Sequence, residues 1–521
     1  MNPFELVSFI AYFLLVLGVG VYFFVKSKNQ GEKEYFLGGR QMSGLIAAFS
    51  AGASDMSAWV LMGLPGAIFL YGLGQVWISV GLLIGTICAW LFIAPRLRHY
   101  AIKAGDSITI PQFLSNRFKA KNPTMRIACA VIFVIAYCVY TASSLAACGD
   151  LFNIVLGVDK KIAMIIAAAI IVVYTLLGGF NAVCWTDFFQ GMIMLAAIMI
   201  VPIVALFVLN SAGALGTVTT PEHYYNFLSS GKFDWASVAN ILTGLGWGLG
   251  YFGMPHILVR YMSIKSDKEM RKSQLIGIMW IFIILVMATV VGLVGHQYVG
   301  SALAKEDKNL VFVTMVRSIF GVGAIGLFGG LLLSAIVAAA MSTADSQLLA
   351  SSSAFASDIY KATIRKDASD KEMLWVGRIA VGVVIVIALM IALFGSSDIM
   401  GLVSAAWSIF GAAFGPVIIL SLFWRRLNYK GAVSGIITGF LVSVLWMILF
   451  NLEYYATATM PIKSLIFNTG LYEIVPGFLV GLAVAVDVSL CTKAPDKEVV
   501  ELFDQVKNWN EEDDQKEQAN A

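Results

Sequence analysis

Ser50-Ala-Gly-Ala-Ser-Asp-Met-Ser-Ala-Trp59 interrupts a segment, roughly 44–72, that is otherwise apolar enough to cross a membrane. Three features are out of place in it. Asp55 is a carboxylate at membrane depth, where ionisable side chains are costly and usually serve a site. Ser50, Ser54 and Ser57 add hydroxyls around it, and Gly52 loosens the backbone. Gly63, Pro65 and Gly66 follow as helix breakers, which lipid tolerates only where the freed backbone groups face protein or a cavity. A discontinuous helix results, with backbone carbonyls and small hydroxyls placed to hold a cation. The plainer alternative is a Pro-kinked helix whose Asp pairs with a buried positive charge or caps a neighbour.

Outward from this stretch the chain stays apolar. Of 521 residues 59% are hydrophobic and only 13% charged, with a mean hydropathy of +0.82. Soluble domains carry about 25% charged residues, so the composition is that of an all-α polytopic membrane protein. Windows of about 20 apolar residues give about 13 spans: 4–24, 43–71, 75–95, 125–149, 161–180, 187–209, 236–259, 274–298, 318–357, 374–395, 398–423, 431–451 and 471–491. The ninth is expected to run on as a helix beyond the membrane.

Loop charge sets the orientation. Of 35 Lys and Arg residues, 28 fall in the odd-numbered loops and the tail, and 7 on the opposite side. The positive-inside rule puts the N-terminus outside and the C-terminus in the cytoplasm of a multi-pass plasma-membrane protein. The start, Met1-Asn-Pro-Phe-Glu-Leu, lacks the basic region of a cleaved signal peptide, so the first helix is expected to stay. The tail, charged and ending in an acidic run at Glu511 to Asp514, is expected to be solvated helix or disordered. It is too short to serve as an output domain. Nothing points to nucleic acid or to an obligatory protein partner; lipid and small solutes are the expected contacts. The six cysteines show no CxxC spacing, and all but Cys491 lie in apolar runs, as packing residues do.

A second interruption is Thr243-Gly-Leu-Gly-Trp-Gly-Leu-Gly-Tyr-Phe-Gly-Met-Pro255. Its glycines mimic a nucleotide fingerprint without the strand-turn-helix context that motif requires. Each break opens a run of about five spans. Matching breaks in two halves point to an inverted-repeat transporter with its site at the midplane. The units are 1–42, an extra helix and loop; 43–210 and 236–424, the two repeats; 430–492, two further helices; and 493–521, the tail.

A third polar stretch is Ala338-Ala-Ala-Met-Ser-Thr-Ala-Asp-Ser-Gln-Leu348, in which Ser342 and Thr343 are followed one turn on by Asp345 and Ser346. Hydroxyl and carbonyl oxygens suit a hard monovalent cation, whereas imidazole or thiolate would suit a transition metal. The alternative is that these hydroxyls bond back to their own helix carbonyls. Asp187 reads equally well as a first-turn carboxylate favoured by the helix dipole. Asp150 and Asp398 fall at outer ends, and Arg40 at the cytoplasmic boundary, where it can snorkel, gate or pair with an acid. Trp59, Tyr140, Trp247, Tyr251 and Phe252 lie near the breaks and can close an apolar ring over a small solute. The four His are scattered, mostly near loops, and support no proton relay. No nucleophile–base–orienter set of an enzyme is visible.

The stretch 50–67, together with 246–256, Leu332-Leu-Ser-Ala-Ile to Ser342-Thr343 and Gly411-Ala-Ala-Phe-Gly-Pro416, resembles the solute:sodium symporter family over nearly the whole chain. The resemblance implies a LeuT-type 5+5 inverted repeat with a broken first helix in each repeat, and sodium-coupled import of L-proline. It further implies a sodium site from the carbonyls of Ala53, Met56 and Ala339 with the hydroxyls of Ser342 and Thr343, and Asp55 as a carboxylate needed for sodium affinity. Ser57, Trp59, Tyr140, Trp247, Tyr251 and Pro255 match positions associated with proline. Asp187, with Ser342 and Ser346, matches a second sodium site of some members. Asp345 and Met254 depart from the residue types expected at their positions.

Overall fold

The computed structural model describes residues 3–26, 31–395, 399–452 and 466–509; Asp398 and the acidic run after 509 lie outside them. Among the described residues all regular structure is helical, apart from one isolated parallel bridge between Met42 and Ile264. In order the helices are α1 (Pro3–Lys26), α2 (Glu32–Leu37), α3 (Gly44–Asp55), α4 (Gly63–Tyr71), α5 (Val76–Cys88), α6 (Ala94–Lys103), α7 (Ile110–Arg117), α8 (Thr124–Leu156), α9 (Lys160–Ser211) and α10 (Trp235–Gly246). Then follow α11 (Pro255–Ser263), α12 (Asp267–Val299), α13 (Val311–Phe320), α14 (Gly326–Ser353), α15 (Asp370–Phe394), α16 (Ile399–Phe423), α17 (Tyr429–Trp446), α18 (Ile474–Cys491) and α19 (Lys497–Lys507).

Among the described residues ten stretches are long and apolar enough to cross a membrane, against the 13 expected. Two of the other three expected spans are the broken segments. The first divides into α3 and α4, of 12 and 9 residues, and the second into α10 and α11, also 12 and 9. Each half is too short to span alone. The third, 161–180, is followed by the next with no loop residues between: α9 holds both, and helical geometry breaks between them at Gly179 (φ 61°, ψ −167°). Only glycine takes that conformation cheaply, and the Tyr35 ring lies against it, 2.8 Å from where a Cβ would stand.

Helix starts follow the polar residues left between spans. Asp159, Asp234, Ser266, Ser369 and Asn428 each accept a hydrogen bond from a first-turn amide of the helix they precede, satisfying a donor that has no intrahelical partner. α14 continues as a wider helical segment through Ala354–Ile364, as expected for the ninth span.

α14 and α16 are largely buried, and α3, α8, α9 and α11 pack around them. α1, α15, α17 and α18 turn apolar side chains such as Leu14, Val383, Leu445 and Leu479 outward, the surface a bilayer covers. The tail departs from expectation. α19 is docked rather than solvated: Val499, Leu502, Phe503 and Val506 are buried, Arg117 Nη1 donates to the Val499 carbonyl at 3.2 Å, and Arg425 pairs with Asp504 at 2.7 Å.

Candidate functional site

The first break falls earlier than the Gly63-Leu-Pro-Gly66 signal suggested. α3 ends at Asp55; Met56 (ψ 72°) leaves the helical region, Ser57 (ψ −173°) is extended, and a 3₁₀ turn over Ala58–Val60 precedes α4. Pro65 sits in the first turn of α4, where its missing N–H gives up no intrahelical bond. The breaker is thus the start of the second half. Carbonyls at the end of α3 have no following helical turn to bond them, and the partial negative charge of a helix C-terminus adds to theirs.

α14 lies across this end. Ser342 Oγ donates to the Ala53 carbonyl at 2.8 Å and to the Ala339 carbonyl at 3.1 Å. Beside it the buried Thr343 Oγ1 has no hydrogen-bond partner among the described residues. Four of the five expected sodium ligands, Ala53, Ala339, Ser342 and Thr343, are therefore on two helices in contact, and Met56 occupies the break itself. A hydroxyl reaching two carbonyls while its neighbour stays unbonded is a donor set that suits a hard cation.

Asp55 points elsewhere. Its Oδ2 accepts from Tyr251 Oη at 2.5 Å, and its buried Oδ1 has no partner among the described residues. Tyr251 belongs to the second break, a 3₁₀ segment Trp247–Phe252 between α10 and α11. The carboxylate thus joins the two broken helices. Around this bond the Trp59 and Trp247 rings lie 5.9 Å apart, Tyr140 Oη reaches toward the Asp55 carbonyl at 3.5 Å, and Ser57 caps the turn that carries Trp59. Pro255 opens α11, with Met254 buried before it. The aromatics and Pro255 expected at the substrate position are all buried about these two breaks.

Two members of this cluster escaped the sequence reading. Trp407 of α16 is 1% exposed, donates from Nε1 to the Trp247 carbonyl at 2.8 Å, and meets the Tyr251 ring edge-on at 5.4 Å. Tyr472 stacks on Trp247 at 5.2 Å. Trp407 fills the space a side chain on Gly250 would need: a Cβ there would come within 2.0 Å of Trp407 Nε1. His256, expected near a loop, is 1% exposed and has Nδ1 3.3 Å from Tyr137 Oη.

Asp187 is not in a first helical turn, and its buried Oδ1 has no hydrogen-bond partner among the described residues. It lies within α9, beyond the break at Gly179, and its Oδ2 accepts from Arg260 at 2.9 Å and from Ser50 Oγ at 2.6 Å. Arg260, counted among loop charges from sequence, is 2% exposed on α11. It also donates to Ser346 Oγ, whose own hydroxyl turns to Asp345 at 3.3 Å. Breaking such a buried pair costs roughly 3–5 kcal/mol.

Arg40, expected at the cytoplasmic boundary, has a positive φ of 57°. Its guanidinium donates to Asp106 at 2.8 Å, to the Met262 carbonyl at 2.5 Å and to the Ser107 carbonyl at 2.6 Å. It pairs with an acid and holds the backbone at the end of α11. Partial burial raises the Asp106 carboxyl, but Lys33 and Arg40 outweigh it and hold that carboxyl below its ordinary range. Nearby, Arg98 grips Asp267 at 2.7 Å and the Ile264 carbonyl at 2.7 Å. Asp150, expected at the surface, is half-buried and pairs with Lys160 at 2.5 Å.

Comparison with known proteins bears on all of this. Residues 35–439 match the sodium:solute symporter family model. The chain is 41% identical over 486 residues to the high-affinity proline transporter PutP of Bacillus subtilis, covering 92% of this chain and 97% of that one. It is 40% identical over 502 residues to the osmoregulated proline transporter OpuE of the same organism, with 96% and 97% covered. A sodium/proline symporter of Staphylococcus aureus is 41% identical over 488 residues, with 93% and 92% covered. Among solved structures, a sodium-coupled sialic acid symporter superimposes with a TM-score of 0.77 at 19% identity, over 95% of this chain and 99% of the other. MhsT in complex with L-phenylalanine gives 0.53 at 14% identity, over 86% and 97%. The fold is LeuT-type, and the chain is a transporter rather than an enzyme. It belongs to the sodium:solute symporter family.

Proposed function

We propose that this protein imports L-proline, driven by the sodium gradient and membrane potential, by alternating access across the plasma membrane. The observation that carries the reading is the contact of α14 with the broken end of α3, where Ser342 reaches the carbonyls of Ala53 and Ala339 beside the unbonded Thr343 hydroxyl. Sodium at Ala53, Met56, Ala339, Ser342 and Thr343 would replace those hydroxyl contacts by ion–oxygen ones and hold α3 against α14. Relatives about 40% identical over nearly their full lengths are named for proline, which supports the substrate.

In this reading proline lies between the two breaks, its ring among Trp59, Tyr140, Trp247 and Tyr251. Its carboxylate meets the positive N-terminal end of a half-helix, with Ser57 and Pro255 at the two candidate ends. Asp55, bonded to Tyr251, raises sodium affinity by its charge and passes the state of the sodium site to the substrate site. Each charge moved inward gains about 2.3 kcal/mol per 100 mV. Because coupling is reciprocal, sodium must raise proline affinity by the factor that proline raises sodium affinity.

The repeats run 43–210 and 236–424, flanked by 1–42, 430–492 and the tail. Loop charge places the N-terminus outside and the C-terminus inside. Arg40 and Arg98 then lie on the cytoplasmic side and close it by gripping residues 262–265. The test is equilibrium binding of labelled L-proline to purified protein in sodium and in potassium. Binding that needs sodium and is displaced by unlabelled proline, but not by sugars, supports the proposal; sodium-independent binding or none contradicts it.

A further inference from the structure

The position expected to hold a second sodium, around Asp187 and Ser346, already has a positive charge in it. The Arg260 guanidinium donates to Asp187 Oδ2 at 2.9 Å, Ser50 Oγ at 2.7 Å, the His256 carbonyl at 2.6 Å and Ser346 Oγ. These oxygens come from α9, α3, α11 and α14, so one side chain ties four helices together. Asp187 is 0% and Arg260 2% exposed. A sodium ion here would have to share Asp187 Oδ2, Ser50 Oγ and Ser346 Oγ with the guanidinium, with only Asp187 Oδ1 unbonded among the described residues, and would face the guanidinium charge in a buried site. The same two helices carry the first sodium site one turn away: Ser50 precedes Ala53 on α3, and Ser346 follows Ser342 on α14.

We propose that Arg260 is a tethered cation standing permanently where a second sodium would sit, so that one exchangeable sodium is bound and α11 is held to the sodium-binding seam by the protein's own charge. Asp187, Ser50 and Ser346 are then its cradle, and Arg260 acts as a positioning residue. Sodium coupling is read through α11, because the guanidinium links that half-helix to both walls of the exchangeable site.

The test counts sodium ions from the sodium dependence of thermal stabilisation of the purified full-length protein. The slope against the logarithm of sodium concentration gives the ions bound on folding-competent protein. The readout involves no proline, so an error in the substrate leaves it intact. Wild type and Arg260→Lys are expected to show one ion. Arg260→Gln, which leaves Asp187 without its counter-charge, is expected to show two, and Asp187→Asn combined with Arg260→Gln to return to one. Two ions in wild type, or one in a folded Arg260→Gln protein, would overturn the proposal. Should Arg260→Gln fail to fold in choline, high sodium must restore it, and failure in both salts counts against the proposal equally.

Discussion

Replacing Asp55 by Asn keeps the shape of the side chain and an oxygen for Tyr251 Oη, but removes the charge that lies one residue before the Met56 carbonyl. The half-saturating sodium concentration should rise about tenfold or more, a change of about 1.4 kcal/mol. Proline affinity at saturating sodium should change far less. Equal weakening of both would remove Asp55 from its assigned role. Trp407→Phe tests the substrate side. It deletes the Nε1 bond to the Trp247 carbonyl, a net loss of about 1 kcal/mol, and should weaken proline binding about fivefold with sodium stabilisation unchanged. At this scale the sequence was most legible where a residue was chemically out of place: Asp55, Ser342 and Thr343 stood out in apolar helices, and the structure brings α14, with Ser342 and Thr343, against the end of α3 that carries Asp55. Arg260 did not. A positive charge at the end of a span looks the same whether it reaches the cytoplasm or turns inward to Asp187, because its partners are brought up by three other helices. Trp407 was hidden for a related reason, since one more aromatic in an apolar run carries no local signal.

The elements repeat this pattern. Glycine and proline marked both broken helices, yet the first break lies at Met56 and Ser57, because Pro65 is tolerated in the first turn of the half-helix that follows. Length windows likewise could not see that the break between the fifth and sixth expected spans is the single residue Gly179, with no loop after it. Close approach of elements gives its own test. Gly250→Ala would place a methyl 2.0 Å from Trp407 Nε1, and overpacking of that kind costs about 1–3 kcal/mol. It should therefore lower both thermal stability and proline binding; an unaltered protein would show that the 3₁₀ segment can shift freely. Beside the end of α11, Asp106→Asn removes the charge that Arg40 and Lys33 share. Maximal uptake rate should change several-fold while the sodium half-saturation of binding stays within about twofold, as for a gating residue. The wild-type Asp106 contribution has a defined sign with pH. A carboxyl held below its ordinary value is fully charged above the unfolded range near 3.9, and its stabilisation is lost only as pH falls through the depressed value. This part of the closure is therefore constant from about pH 5 to 8.

For the whole molecule, two half-helix breaks meet at one aromatic cluster, with the Ala53–Ser342 seam on one side and the Arg260–Asp187 pair beyond it. α19, expected to be solvated, instead packs on α6 through Phe503 and Tyr100; its amphipathic pattern gave no hint of the surface it would meet. The transport cycle requires these parts to act together, and the most direct test is accumulation. Purified protein in proteoliposomes, given labelled L-proline, should concentrate it above equilibrium under an inward sodium gradient. An inside-negative potential should increase the uptake, and replacing sodium by potassium should abolish it. Proline that merely equilibrates, or that accumulates equally well in potassium, would contradict sodium-driven import.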